Sequence, residues 1–254
     1  MALRSSTPPL DIDQGPYRLR FAQSAEDLDA VARLRHQVFQ VELAGGEPAA
    51  DDVAIDRDRF DAQFDHLMIV DRDEGVVGTY RLQVAECARE AEGFYTATEF
   101  DLDPLEHLLD DSIEAGRACV ARDHRKGLAL ALLWRGLAEY QRHNKKRYFF
   151  GCSSITSRDA AEGAATWNWL KDKGHLSEKV EVRPHAHLAC EADEAAVAAA
   201  EVRGVPPLFR IYLRYGAKVC SLPAMDRELG TIDFVTMLDL ETLAPGTVES
   251  FGVR

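Results

Sequence analysis

The chain has 254 residues, 46% of them hydrophobic, which is enough to bury one sizeable core. Its 43 acidic residues outnumber 30 lysines and arginines, and the formal net charge of −13 repels a phosphate backbone, excluding sequence-general nucleic-acid binding. No apolar run approaches the roughly 20 residues of a membrane-spanning helix, and the opening MALRSSTPPLDIDQG lacks the apolar stretch of a secretory signal, so a cytoplasmic protein is expected.

Residues 1–15 mix Pro, Ser and Asp without periodicity and read as a flexible arm ahead of a domain over 16–254. YRLRFA (17–22) alternates like a strand. Ser24 then opens a helix whose Leu28, Val31, Leu34, Val38 and Phe39 keep helical spacing. Residues 40–65 carry Gly45-Gly46, Pro48 and a series of acids, and read as a long loop. Residues 66–70 and 76–84 form two strands around a polar turn, which is a hairpin. Pro104 suits the first turn of a brief helix.

Residues 114–120 read as a strand and 128–143, rich in good helix formers, as a long helix. A buried strand over 147–152, helices over 158–173 and 192–201, and a late strand over 231–238 follow. Strands alternating with helices and no fixed-period repeat imply an α/β (α+β) fold in one domain, a mixed central β-sheet flanked by helices. The cysteines at 87, 119, 152, 190 and 220 include no C-x-x-C pair and read as reduced thiols.

Gly151-Cys152-Ser153-Ser154-Ile155 lacks the second glycine of a nucleophile elbow, and there is no Walker loop or G-x-G-x-x-G. No metal centre is expected, since His185 and His187 have no third ligand at clear spacing. Asp56, Asp58, Asp61 and Asp65 lack the calcium-loop pattern; they read either as a solvated loop or as a holder for an ammonium group. Glu114 and Arg117 would point to opposite faces of a regular strand unless Gly116 supports a bulge. A strand-borne Glu serves equally as a general base for an amine or as one half of an ion pair. Arg122, His124, Arg125 and Lys126 precede the long helix, whose N-terminal amides make a natural anion site. The basic run from Arg142 to Arg147 closes that helix, where the dipole favours cations.

Taken together these residues resemble the GNAT superfamily, in the branch of acyl-homoserine-lactone synthases, N-acyl amino acid synthases and the hemolysin-like ornithine lipid N-acyltransferases. Arg35-x-x-Val38-Phe39, Asp58-x-Phe60-Asp61, Arg81-Leu82 and Glu114-x-x-Arg117 resemble motifs of autoinducer synthases. Gly116-Arg117-x-Cys119-Val120, Leu132-Leu133-Trp134 and Gly151-Cys152-Ser153-Ser154 are similar to ornithine acyltransferases, as are Pro206-Pro207-Leu208 and Tyr212-Leu213-Arg214. The autoinducer branch carries a tryptophan soon after Phe39, and residues 41–45 hold no aromatic.

The resemblance implies an N-acyltransferase that moves a long-chain acyl group from acyl carrier protein to the amine of an amino acid such as ornithine. Glu114 and Arg117 would be catalytic, and Arg35, Phe39, Asp58, Asp61 and Arg81 would bind the acceptor. The strand at Cys119 and Val120 would hold pantetheine, Arg125 and Lys126 its phosphate or the carrier surface, and Trp134 and Phe150 would shape the acyl pocket. No cofactor is permanently bound on this reading. The donor is a phosphopantetheine thioester, with acyl-CoA as the alternative, and a lipid product is compatible with peripheral membrane contact. After Gly127 stand Leu128, Ala129 and Leu130, with leucines where the usual phosphate loop has small residues, which favours a carrier-protein donor over acetyl-CoA. A CoA-dependent acetyltransferase acting on a small amine, a homoserine lactone synthase and a scaffold without chemistry are the rivals.

Overall fold

The computed structural model describes residues 6–43, 45, 55–125 and 127–243. They divide into two compact units, one within residues 6–92 and 113–146, the other within 93–112 and 147–243. The expected α/β fold, helices on a central sheet, is what the chain forms, and the ladders inside each unit are antiparallel.

In the first unit, strands β1 (Asp11–Gln14), β2 (Tyr17–Phe21), β3 (Asp65–Asp71), β4 (Gly75–Val84) and β5 (Ser112–Val120) pair in that order. Both faces of β3 are covered, which explains its near-continuous apolar run. Met68 packs with Val31 and Leu28 of helix α1 (Ala25–His36), capped by the Ser24 hydroxyl, which accepts the Asp27 amide at 3.2 Å. Leu67 faces the opposite way, toward helix α2 (Leu128–Asn144). A Cβ placed at Gly136 of α2 would stand 2.5 Å from Leu67 Cδ2, so the missing side chain is what lets this helix close on the sheet. Helical spacing carries past His36 as expected, but in a π-helical segment, Gln37–Leu43, with Val38 packed against Leu34 and Cys119.

Two readings of the first unit change. Residues 6–14 are not a loose arm: β1 pairs with β2, and the Ser6 and Thr7 hydroxyls donate to buried Asp65 at 2.8 and 2.5 Å. The Tyr140 hydroxyl donates to the same carboxylate at 2.8 Å, and Asn144 Nδ2 donates to the Ser6 carbonyl at 2.8 Å. Asp65 therefore opens β3 and fastens the N-terminal segment. The second change concerns residues 55–64, which are not solvated loop throughout. Asp58 caps a 3-10 turn, Arg59–Ala62, and Phe60, Asp61, Gln63 and Phe64 are buried.

In the second unit β6 (Tyr148–Thr156) pairs along its length with β8 (Thr231–Asp239), and β7 (Ala224–Asp226) makes a hairpin with β8. Helix α3 (Ala160–Asp172) starts at Asp159, whose carboxylate accepts the Ala161 amide. A further helix, α4 (Pro207–Arg214), begins with Pro at its first position, where no intrahelical donor is needed. Ile155, Leu170, Phe209, Leu213, Ile232 and Phe234 form the core between these elements. His185 precedes a 3-10 turn, Ala186–Leu188, and His187 lies within it, so the two do not share a strand face; their rings stack at 6.1 Å. Among the described residues no helix is long and apolar enough to cross a membrane.

Candidate functional site

The site begins with an irregularity in the sheet. Thr79 of β4 pairs with Cys119 of β5, and Arg81 pairs with Gly116, so Arg117 and Ala118 together stand opposite Tyr80 alone. This is a β-bulge, and Arg117 sits in it with φ at 49°, a left-handed conformation that costs a non-glycine residue roughly 1 kcal/mol or more. The extra residue reverses the parity of the strand. Glu114 and Cys119, five apart and on opposite faces of a regular strand, both lie on the face carrying Thr79, Arg81 and Gln83. The bulge also brings Arg117 to the same side, where its Nη2 donates to Asp58 Oδ2 at 3.3 Å.

Three arginines there meet three aspartates. Arg35, at the end of α1, donates through Nη1 to Asp61 at 2.7 Å and is also bonded to Asp56. Arg81 Nη1 donates to Asp61 at 2.8 Å and to both oxygens of Asp58, at 2.7 and 2.6 Å, while its guanidinium lies 4.6 Å over the Phe64 ring. The capping box of the 3-10 turn orients the acids: Asp61 Oδ2 accepts the Asp58 amide at 3.0 Å, and Asp58 Oδ1 accepts the Phe60 amide at 2.9 Å. Burial works to raise the Asp61 carboxyl, but Arg35 and Arg81 more than offset it and hold it at about 2. The Asp58 carboxyl is lowered by the same balance, with burial outweighed by Arg81. His66, whose ring stands 3.0 Å from the Asp61 carbonyl, is pushed down to about 4 by burial and stays neutral.

Exposure separates these residues by role. Arg35 and Arg81 are each 1% exposed and committed to the aspartates, whereas the Asp58 and Arg117 side chains are 22% and 14% exposed. Asp58 and Arg117 form the reachable part of the cluster, with Arg35 and Arg81 buried behind them. Glu114 is sealed beside them and is held by a relay that no sequence motif suggested. The Glu92 amide donates to Gln63 Oε1 at 2.9 Å, Gln63 Nε2 to Gln83 Oε1 at 2.8 Å, and Gln83 Nε2 to Glu114 Oε2 at 2.6 Å. The only sequence trace of the relay was that Gln83 stands two residues after Arg81 on an alternating strand.

Phe39 packs beside Leu34, Val38 and Cys119, and burial pushes the Cys119 thiol up to about 12, which disfavours the thiolate. At the end of β5, where the donor is expected, the Val120 carbonyl accepts Arg125 Nε at 2.9 Å and the Ala121 amide donates to the Val77 carbonyl, so part of that backbone is already bonded. Arg125 also pairs with Glu42 at 2.5 Å. A polar cleft of about 520 Å³, lined by Gln37, Val41, Glu42, Arg122, Asp123 and His124, opens beside this loop. Lys126 lies outside the described residues. Leu128 leans over the Gly15 turn, with its Cδ2 only 3.2 Å from where a Cβ there would stand. Trp134 is buried on α2; Phe150 is buried on β6 in the second unit, edge-on to Phe94 at 5.4 Å.

A family model described as an acetyltransferase (GNAT) domain matches residues 34–135, the stretch from Arg35 through Trp134. An L-ornithine N(alpha)-acyltransferase of Rhodobacter capsulatus is 33% identical over 239 residues, covering 90% of this chain and 92% of that protein. A protein of the same name from Brucella abortus is 31% identical, covering 94% of this chain and 90% of its own length. Among solved structures, FeeM, an N-acyl amino acid synthase from uncultured soil microbes, aligns with a TM-score of 0.51 at 10% identity, covering 89% of this chain and 93% of its own. The AHL synthase LasI aligns at 0.50 and 13% identity, covering 93% and 95%. At such identities these two structures bear on the fold alone.

Proposed function

The chain belongs to the family of the L-ornithine N(alpha)-acyltransferases, built on the GNAT domain, and we propose that it acylates the amine of ornithine or a similar amino acid from a fatty acyl thioester. The observation that carries the chemistry is the bulge at Arg117, which gathers Glu114, Asp58 and Arg117 on one face of β4 and β5. In the reaction the neutral amine nitrogen attacks the thioester carbonyl, the N–C bond forms, the C–S bond breaks, and the departing thiolate takes up the proton that the amine gives up. The amine's own proton passes to Glu114, directly or through one water. Asp58 meets the acceptor's second ammonium and Arg117 its carboxylate, in the bidentate manner that suits a guanidinium. Arg35, Asp61 and Arg81 hold those two groups in place.

The donor in this reading is acyl carrier protein. Support comes from the leucines that replace small residues after Gly127 and from Arg125, whose part-exposed guanidinium stands at the start of α2 within reach of an acidic partner. Arg122, beside it, is exposed. Docking of that kind weakens as salt screens the charges. The reading also carries a cytoplasmic location, with peripheral contact to the membrane that receives the product.

The test is mass spectrometry of lipid extracts from cells expressing the full chain beside Glu114→Gln. New N-acyl amino acids with the wild-type chain, reduced about 10²-fold or more in the variant, are expected. Equal product from both chains would remove Glu114 as the base, and no new product in cells rich in acyl carrier protein would count against the donor and acceptor together.

A further inference from the structure

The second unit holds a carboxylate grouping apart from the residues assigned above to acyl transfer. Glu99 follows the 3-10 turn Thr96–Thr98; its backbone N–H donates to the Thr96 carbonyl at 3.2 Å and its carbonyl accepts the His185 amide at 2.8 Å. Asp226 ends β7, and Asp233 lies on β8. Because Ala224 pairs with Asp233 and Asp226 with Thr231, both acids point from one face of the hairpin. One oxygen from each of the three carboxylates lies within 4.8 Å of the other two.

This grouping is built into the unit rather than displayed on its surface. Glu99 is 5% exposed and Asp233 is 2% exposed. Asp226 is oriented by the Glu228 and Leu229 amides, which donate to its Oδ1 at 2.8 and 2.9 Å. Neither oxygen of Glu99 nor Asp233 Oδ1 meets a donor in hydrogen-bond geometry. Asp233 Oδ2 accepts the Thr231 hydroxyl at 3.2 Å, and the neutral hydroxyls of Tyr95 and Ser154 ease the Glu99 and Asp233 charges without cancelling them. No arginine or lysine among the described residues pairs with any of the three. A buried carboxylate without a donor or counter-charge is costly, and three facing one another compound the cost. Such a grouping calls for positive charge.

The donor set narrows what supplies it. All three ligands are oxygen, with no imidazole or thiolate, which suits a hard cation. Oxygens bound at about 2.3–2.6 Å on opposite sides of a calcium ion stand about 5 Å apart, close to the span of this grouping, and magnesium asks for about 4 Å. We propose that Glu99, Asp226 and Asp233 bind a hard divalent cation of the calcium or magnesium class, which ties the loop around Glu99 to the β7–β8 hairpin.

The experiment uses the full chain stripped with a chelator, then melted with calcium, magnesium or manganese chloride at millimolar concentration, with bound metal counted by elemental analysis. Expected is a melting temperature raised by several degrees with at least one cation, one ion retained per chain, and an affinity weakened tenfold or more in Glu99→Gln and Asp233→Asn. If either buried variant fails to fold, Asp226→Asn, on the half-buried member, gives the same reading. A stripped chain that responds to none of the three cations overturns the site and leaves a shared proton to neutralise the carboxylates. A response that survives all three substitutions places the ion elsewhere and overturns it as well. None of these readouts depends on acyl transfer, so failure of the catalytic reading leaves them intact.

Discussion

Gln83 donates its side-chain amide to Glu114 at 2.6 Å, and the direction of that bond is set two side chains away. The Glu92 backbone N–H can only donate, so Gln63 must turn its carbonyl oxygen toward it and its NH₂ toward Gln83. Gln83 then has only its own NH₂ left for Glu114, whose Oε2 must accept. The relay keeps one oxygen of the proposed base in acceptor form and its plane fixed.

Replacing Gln83 with Leu removes that donor from Glu114 Oε2. We expect kcat to fall about 10- to 10²-fold while KM for the amine acceptor stays within about twofold, since Asp58 and Arg117 are untouched. Gln63→Leu acts one step further back and should cost less. Steady-state kinetics on both variants checks the order, and a loss confined to KM would remove Gln83 as a positioning residue.

At Arg117 the backbone and the side chain make separable contributions. Arg117→Ala loses the contact with Asp58 and keeps the left-handed strain, whereas Arg117→Gly loses the contact and relieves the strain. The glycine variant should be more stable than the alanine variant by about 1 kcal/mol in urea unfolding, with both equally impaired in turnover. Equal stability would mean that the bulge does not strain this residue.

His66 makes stability depend on pH. Its folded pKa of about 4 lies below the ordinary 6.5, so between those values the unfolded chain binds the extra proton. Its contribution is fully present above pH 6.5 and is lost as pH falls toward 4, amounting to about 3 kcal/mol at most. Urea unfolding at pH 7 and pH 5 should show a larger drop for the wild-type chain than for His66→Gln. Identical drops would mean that His66 is not held neutral.

Gly136→Ala opposes two effects on one helix. Alanine improves helix propensity by about 1 kcal/mol, but its Cβ would meet Leu67 Cδ2 and Cδ1 at 2.5 and 2.7 Å in a position where Leu67 is fully buried. Overpacking of that kind costs about 1–3 kcal/mol, so the variant should melt lower than wild type, and Leu67→Val should recover part of the loss. A higher melting temperature would show that α2 slides freely on the sheet.

Local periodicity and end signals were enough to read most of the elements from sequence. Alternation marked β2, apolar runs around a polar turn marked β3 and β4, Ser24 marked the start of α1, and the run from Leu128 marked α2. Resemblance to ordered family motifs singled out Arg35, Asp58, Asp61, Arg81, Glu114 and Arg117 before any distance was known, because a motif is carried by residue type and spacing along the chain. Tertiary structure alone decided which of them touch. The parity of a strand cannot reveal a bulge, so the shared face of Glu114 and Arg117 came only from the β4–β5 register. Gln83 and Glu114 lie 31 residues apart, and Ser6 and Asp65 lie 59 apart. The Glu99, Asp226 and Asp233 grouping joins a loop to a hairpin in the same way. Hydrogen bonds and charge contacts act over about 3 Å in space whatever their separation in sequence, so only the folded register determines where a polar side chain finds its partner.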